Sequence, residues 1–148
     1  MKSFFSILGL VILDQLTKYL ARMLFIPGIE VFSFFHLTFV ENTGIAFSIP
    51  FPQTFLIILT SIFIIFMGHF LWFKKLKSYE NYALLLLLAG AIGNLIDRIF
   101  LGKVTDFLAF WNFPIFNLAD IYISVGVGLY LVGEIFFQKN SKTMADQK

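Results

Sequence analysis

The chain has 148 residues, of which 59% are hydrophobic, 14% are charged and 21 are phenylalanine, with a formal net charge of +2 and no cysteine. Soluble domains carry about a quarter charged residues, so this surface is built for lipid, and so small a net charge gives no basis for a nucleic-acid partner. The missing thiols exclude a cysteine nucleophile, a zinc-thiolate site, an iron–sulfur cluster and any disulfide.

Ser3 to about Met23 reads as a first membrane span, interrupted by Asp14 and Lys18. Their spacing of four puts them on one helical face, where the pair offsets part of the cost of entering the bilayer. A cleaved signal peptide is the competing reading, because Lys2 precedes a short apolar run. No small-x-small cleavage site follows, so a retained span is expected. Residues 24–52 form an outward connection that contains Pro27-Gly28, an apolar and β-branched stretch from Ile29 to Val40, and Glu41-Asn42-Thr43-Gly44. This pattern predicts short strands with a turn, lying on the membrane surface where Phe32, Phe34, Phe35 and Phe39 find apolar cover. Gln53 to Phe73 is an uninterrupted span with His69 as its one ionisable residue, more readily a packed residue than a ligand. Residues 81–98 and 118–137 read as the third and fourth spans. Between them, residues 99–117 carry Gly102, Asp106, Trp111 and Pro114 and read as a loop with aromatic anchors at headgroup level. Residues 139–148 read as a polar, unstructured tail.

The expected fold is therefore an all-α integral membrane protein of four transmembrane helices with a small β-rich outward-facing segment, in one domain over residues 1–138. Lys2, the Lys74/Lys75/Lys77 cluster and Lys139, Lys142 and Lys148 all fall on one side of such a bundle. The positive-inside rule puts both termini in the cytoplasm. The two longer connections then face outward.

That topology sorts the carboxylates by depth. Asp97 ends the third span at its outer end, Asp120 begins the fourth, and Asp106 lies in the connection between them. Asp14, at about 1.5 Å of helix rise per residue, is roughly half-way across and can support such a site from below. Asn42, Asn94 and Asn117 add hydrogen-bonding groups in the same outer layer. Taken singly, Asp97-Arg98 reads equally as an interfacial ion pair, and Asp120 as a favourable acidic residue in a first helical turn. Two carboxylates held close together share a proton, so that one accepts a proton from water while the other donates, as in an aspartic hydrolase. Other hydrolytic machinery is scarce: His36 and His69 lack HExxH spacing, and no GxSxG, Gly-rich phosphate loop or EF-hand pattern occurs.

Five blocks carry a more specific signal. Asp14-Gln15-Leu16-Thr17-Lys18, Asn42-Thr43-Gly44-Ile45-Ala46-Phe47-Ser48, Gly90-Ala91-Ile92-Gly93-Asn94-Leu95-Ile96-Asp97-Arg98, Val104-Thr105-Asp106-Phe107 and Phe116-Asn117-Leu118-Ala119-Asp120 resemble, in order, the sequence blocks of bacterial lipoprotein signal peptidase, the type II signal peptidase. The resemblance implies an intramembrane aspartic endopeptidase that removes the signal peptide from diacylglyceryl-modified prolipoproteins, cutting just before the lipidated cysteine. It places the enzyme in the bacterial inner membrane, with the active site near the outer face. It makes Asp106 and Asp120 the catalytic pair. Asp97 with Arg98, Asn94 and Asn117 would hold the pair and contact the substrate backbone, and Asp14 and Asn42 would support activity or stability. No metal or other cofactor is implied, the partners are lipid-modified substrates and membrane lipid, and a monomer is expected. Two positions depart from the family pattern: Ala89 and Ile121 stand where many members have Gly and Ser.

Two rival classes remain at this stage. A proton-coupled transporter also uses buried Asp, Arg and Asn, but four spans without repeats do not fit its architecture. A non-enzymatic scaffold would use the polar residues only to hold its helices together.

Overall fold

Four helices and a small sheet build the structure, a computed structural model that describes residues 2–44, 49 and 51–145. The helices are α1 (Lys2–Leu24), α2 (Gln53–Phe73), α3 (Ser78–Leu101) and α4 (Leu118–Ala145); strands β1 (Ile29–Phe32) and β2 (Phe35–Asn42) lie between α1 and α2, and β3 (Val104–Phe110) between α3 and α4. Each helix is long and apolar enough to cross a membrane. The chain is a multi-pass membrane protein. Residues 45–48 of the second sequence block lie outside the described residues.

The helix α3 is central, with α1, α2 and α4 all packed on it. Its buried face meets Ile7 and Val11 of α1 and Tyr122 of α4 through Leu85, Leu88 and Ala89. Ala89, one of the two departures from the family pattern, is thus a core residue whose methyl group is fully covered. In contrast, α2 buries only Leu56 and leaves large apolar side chains such as Ile65, Phe66 and Phe73 exposed. A helix apolar all round and uncovered by protein is stable when lipid surrounds it.

Small residues decide how near α4 comes to α3. A β-carbon added at Gly90 would fall on the backbone oxygen of Ala119 and within 2.7 Å of Ile123 Cγ1. Contact at backbone level is what small residues permit between membrane helices.

Three sequence expectations are corrected. The second connection is not simply a loop, because Val104–Phe110 forms a strand that completes a three-stranded antiparallel sheet in the order β1-β2-β3. Its partner lies some sixty residues earlier, beyond the reach of a local pattern, and Val40 pairs there with Asp106. The segment after Gln138 is helical as far as Ala145, since it contains no Pro or Gly to end the fourth helix. The third helix also runs past the expected boundary, to Leu101, where Gly102 ends it at φ 71°, a left-handed conformation that suits a residue without a side chain. In the first connection, strands with a turn form as the pattern predicts. Phe32 and Phe34 stay exposed on that hairpin, with their rings stacked 5.6 Å apart.

Gly90→Ala should therefore destabilise the protein by about 1–3 kcal/mol, because the clash is with backbone that cannot turn aside. Gly9→Ala, where an added β-carbon meets nothing within 4 Å, should be neutral or stabilising. Thermal unfolding of both variants in one detergent measures the contrast, and equal effects would show that the α3–α4 contact is not tight.

Candidate active site

Asn117 links the two aspartates singled out by the sequence. Its Nδ2 donates to Asp106 Oδ1 at 2.7 Å, while its backbone N donates to Asp120 Oδ2 at 3.1 Å. Its Oδ1 in turn accepts from the backbone N of Asp120 at 3.0 Å. This reciprocal pair is a capping box, with Asn117 before the first turn of α4 and Asp120 three residues on. The helix-start reading of Asp120 is thus one half of its role in the structure. Its other oxygen, Oδ1, accepts from Asn94 Nδ2 at 2.9 Å.

Asp106 reaches the same place from the sheet. The segment after β3 folds back so that the Phe116 oxygen accepts from the backbone N of Phe107 and Leu108, and Phe116 N donates to Leu108 O at 3.1 Å. This return sets Asn117, and with it the start of α4, beside Asp106. Asn42 at the end of β2 donates through Nδ2 to Asp106 Oδ2 at 2.9 Å. Asp106 is only 2% exposed. Burial pushes its carboxyl up to about 6, opposed by the hydrogen bond from Asn42, reinforced by the charge of Asp120 and opposed again by the hydrogen bond from Asn117.

Both aspartates line a cavity of about 280 Å³ together with Asn42, Asn94 and Arg98. The Arg98 side chain makes no hydrogen bond or ion pair among the described residues, and its buried Nε has no partner. A second cavity, of about 510 Å³, opens beside the first; it is lined by Leu59 and Phe63 of α2, Leu87 and Ala91 of α3 and Ile123 of α4, and shares Asn94, Arg98 and Asp120 with it.

Asp97 and Asp14 do not line either cavity. Asp97 lies 3.4 Å from Lys18 and 3.6 Å from Arg22, and accepts from the backbone N of Thr105 at 2.9 Å. The Asp97–Arg98 ion pair offered as the alternative reading is not made: Asp97 meets Lys18 and Arg22, and Arg98 lines the cavities. Asp14 pairs with Lys18 at 3.0 Å, as their spacing predicts, and accepts from the backbone N of Ala119 at 2.9 Å. Each carboxylate thus holds the backbone next to one cavity aspartate: Thr105 precedes Asp106, and Ala119 precedes Asp120. Sequence reasoning missed the parts played by Gln15, which donates to Asp14, Gly93 O and Asp97, and by Arg22, which donates to Thr105 Oγ1 at 2.8 Å. Only their nearness to Asp14 and Lys18 on the first helix signalled them.

A family model for signal peptidase II matches residues 6–136. The chain belongs to that family. Among curated signal peptidase II relatives, the lipoprotein signal peptidase of Caldanaerobacter subterraneus is 46% identical over 124 residues, covering 78% of this chain and 83% of the relative. That of Bartonella bacilliformis is 39% identical, covering 97% and 95%. A solved bacterial membrane enzyme is similar with a TM-score of 0.86 at 34% identity, over 94% of this chain and 90% of that one. Signal peptidase II membership makes the protein a peptidase and removes the transporter and scaffold readings.

The raised Asp106 carboxyl has a consequence for stability. A proton held more tightly in the folded state than in the unfolded state stabilises the fold below the unfolded value of 3.8. That contribution is lost as pH rises through about 6. The loss should reach about 3 kcal/mol. Asp106→Asn carries no ionisable group, so its melting temperature relative to the unaltered protein should climb between pH 4 and pH 7. A difference that stays flat with pH would show that Asp106 does not titrate in that window.

Proposed function

We propose that the protein is an intramembrane aspartic endopeptidase in which Asp106 and Asp120 share one proton and cut diacylglyceryl-modified prolipoproteins just before the lipidated cysteine. The observation that carries this reading is the single Asn117 side chain and backbone joined to both carboxylates at the wall of one cavity. One carboxylate takes a proton from water as the water attacks the scissile carbonyl. The other, protonated, donates to the substrate and restores the pair as the amine leaves. Burial of Asp106 favours its holding the shared proton.

Substrate binding follows from what is left unpaired. The free Arg98 guanidinium supplies donors for a substrate backbone carbonyl, and the apolar cavity between α2 and α4 accommodates the hydrophobic part of a lipidated chain. A cysteine carrying two acyl chains stays in lipid, so its neighbouring peptide bond must be cut at the membrane rim, where water reaches it. The lysine distribution supports an orientation with both termini in the cytoplasm and the sheet outside, in the inner membrane.

Purified protein incubated with a diacylglyceryl-modified prolipoprotein should release a signal peptide whose mass ends immediately before the modified cysteine. Asp106→Asn and Asp120→Asn should each abolish release, at least a thousandfold, while leaving folded protein. Turnover near the original rate in either variant would remove that residue from the pair. With chelator present throughout, kcat/KM should be bell-shaped in pH and fall above about pH 6, where the free pair loses its shared proton. Activity that vanished with chelator and returned with a divalent cation would replace the shared proton by a metal.

Orientation is tested separately. Single cysteines placed at the exposed positions Ser78 and Asn112 of this cysteine-free chain should label from the cytoplasmic side and the outer side respectively. Labelling of Ser78→Cys from outside would invert the topology.

A further inference from the structure

Lys18 is wholly buried, yet it touches neither cavity. Its ammonium has three N–H donors and no acceptor. Three partners surround it: Asp14 Oδ2 at 3.0 Å, Asp97 Oδ2 at 3.4 Å and Asn94 Oδ1 at 2.9 Å. Two carboxylates suffice to balance the charge, so the third contact, with a neutral amide, does something else. The same Asn94 oxygen also accepts from Asn117 Nδ2 at 3.2 Å. Two donors therefore fix which end of the Asn94 amide points inward. Its NH₂ group has only the other direction, toward Asp120 Oδ1 at 2.9 Å. Turned by half a rotation, the amide would set its NH₂ against the ammonium and the Asn117 NH₂, and its oxygen against the Asp120 carboxylate. Every one of those contacts repels.

We propose that Lys18 is a positioning residue that locks the Asn94 amide with its N–H toward Asp120, and so keeps that carboxylate aimed at the reacting bond. The proposal rests on the reading of Asp120 as one of the catalytic pair. A lysine serves here where an arginine would not, because three diverging donors on a point charge fit three partners that a planar fork cannot reach together. Without Lys18 only the longer Asn117 N–H contact, at 3.2 Å, still holds the Asn94 oxygen, and the amide is freer to turn its N–H away from Asp120. Substrate contacts at Arg98 and in the apolar cavity would be untouched, so the loss belongs in kcat and not in KM.

Removing Lys18 alone leaves the buried Asp14 carboxylate without its cation and risks the fold. The test therefore compares Asp14→Asn with Asp14→Asn/Lys18→Met, which deletes one anion and one cation together. Asp97 keeps Arg22 and the Thr105 N–H in both. Relative to Asp14→Asn, the double variant should show kcat lower by about tenfold or more, with KM within about twofold. Adding Asn94→Ala to both chains should then erase the difference between them, since there is no longer an amide to lock. Equal kcat in the first two chains, a change confined to KM, or losses that multiply when Asn94→Ala is added would each overturn the lock and leave Lys18 as a counter-charge only. If the methionine variant does not fold, Asp14→Leu/Lys18→Leu, compared with Asp14→Leu, gives the same readouts with an apolar filling. Asp120→Asn is assayed alongside. Turnover in that variant would defeat the catalytic reading itself, whereas an inactive Asp120→Asn with a fully active double variant defeats only the lock.

Discussion

A buried ammonium between two buried carboxylates gathers distant parts of this protein around one point. Charged groups are costly at membrane depth unless they are paired and hydrogen-bonded, so once Lys18 and Asp14 enter the bundle on α1, the remaining partners must come to them. Asp97 on α3 supplies the second carboxylate. Each carboxylate also accepts a backbone N–H: Asp97 through the same Oδ2 from Thr105 in β3, and Asp14 through its other oxygen, Oδ1, from Ala119 in α4. Four elements distant in sequence are tied to one ion cluster, and the residue after each tied N–H is a cavity aspartate. The cluster thus sets the backbone beside both cavity aspartates.

Close helix approach is the second requirement, and it is met by the absence of side chains. Gly93 leaves no room for a β-carbon beside the Asp14 carboxylate, and Gly90 leaves none beside the Ala119 carbonyl. Between them they let α1 and α4 meet α3 at backbone distance. The half of the bundle next to the sheet can then hold polar groups in register, while α2 stands apart from α4 and leaves the apolar cavity open. Tight packing and an open cavity thus adjoin on the same central helix, with Ile123 of α4 next to Gly90 and also in the cavity wall.

The two cavity aspartates are held by amide donors in a symmetrical manner. Asp106 accepts from Asn42 and Asn117, and Asp120 accepts from Asn94 and the Asn117 backbone. Their surroundings differ all the same, because Asp106 lies on a strand buried under the return of the chain at Phe116, and Asp120 lies in the first turn of a helix at the cavity wall. Chemically equal groups thus stand in unequal surroundings, a difference that the proposed acid–base pair would use.

Much of this was legible in the sequence, and for local reasons. Four apolar runs of span length, the spacing of Asp14 and Lys18, the hairpin pattern from Ile29 and the acidic Asp120 in a first helical turn each follow from residues within a turn or two of one another. The strand at Val104–Phe110 was not legible, because a strand exists through its partner, and its partner is the distant β2. Nor was the choice of partner for Asp97: adjacent Arg98 was the obvious candidate in one dimension, but neighbours on a helix point about 100° apart, and Lys18 and Arg22 took the contact from another helix. The sequence by itself determined which groups would be too costly to leave unpaired in lipid. Only the tertiary structure decided who pairs with whom, because that choice depends on the few ångströms of approach that Gly90 and Gly93 permit.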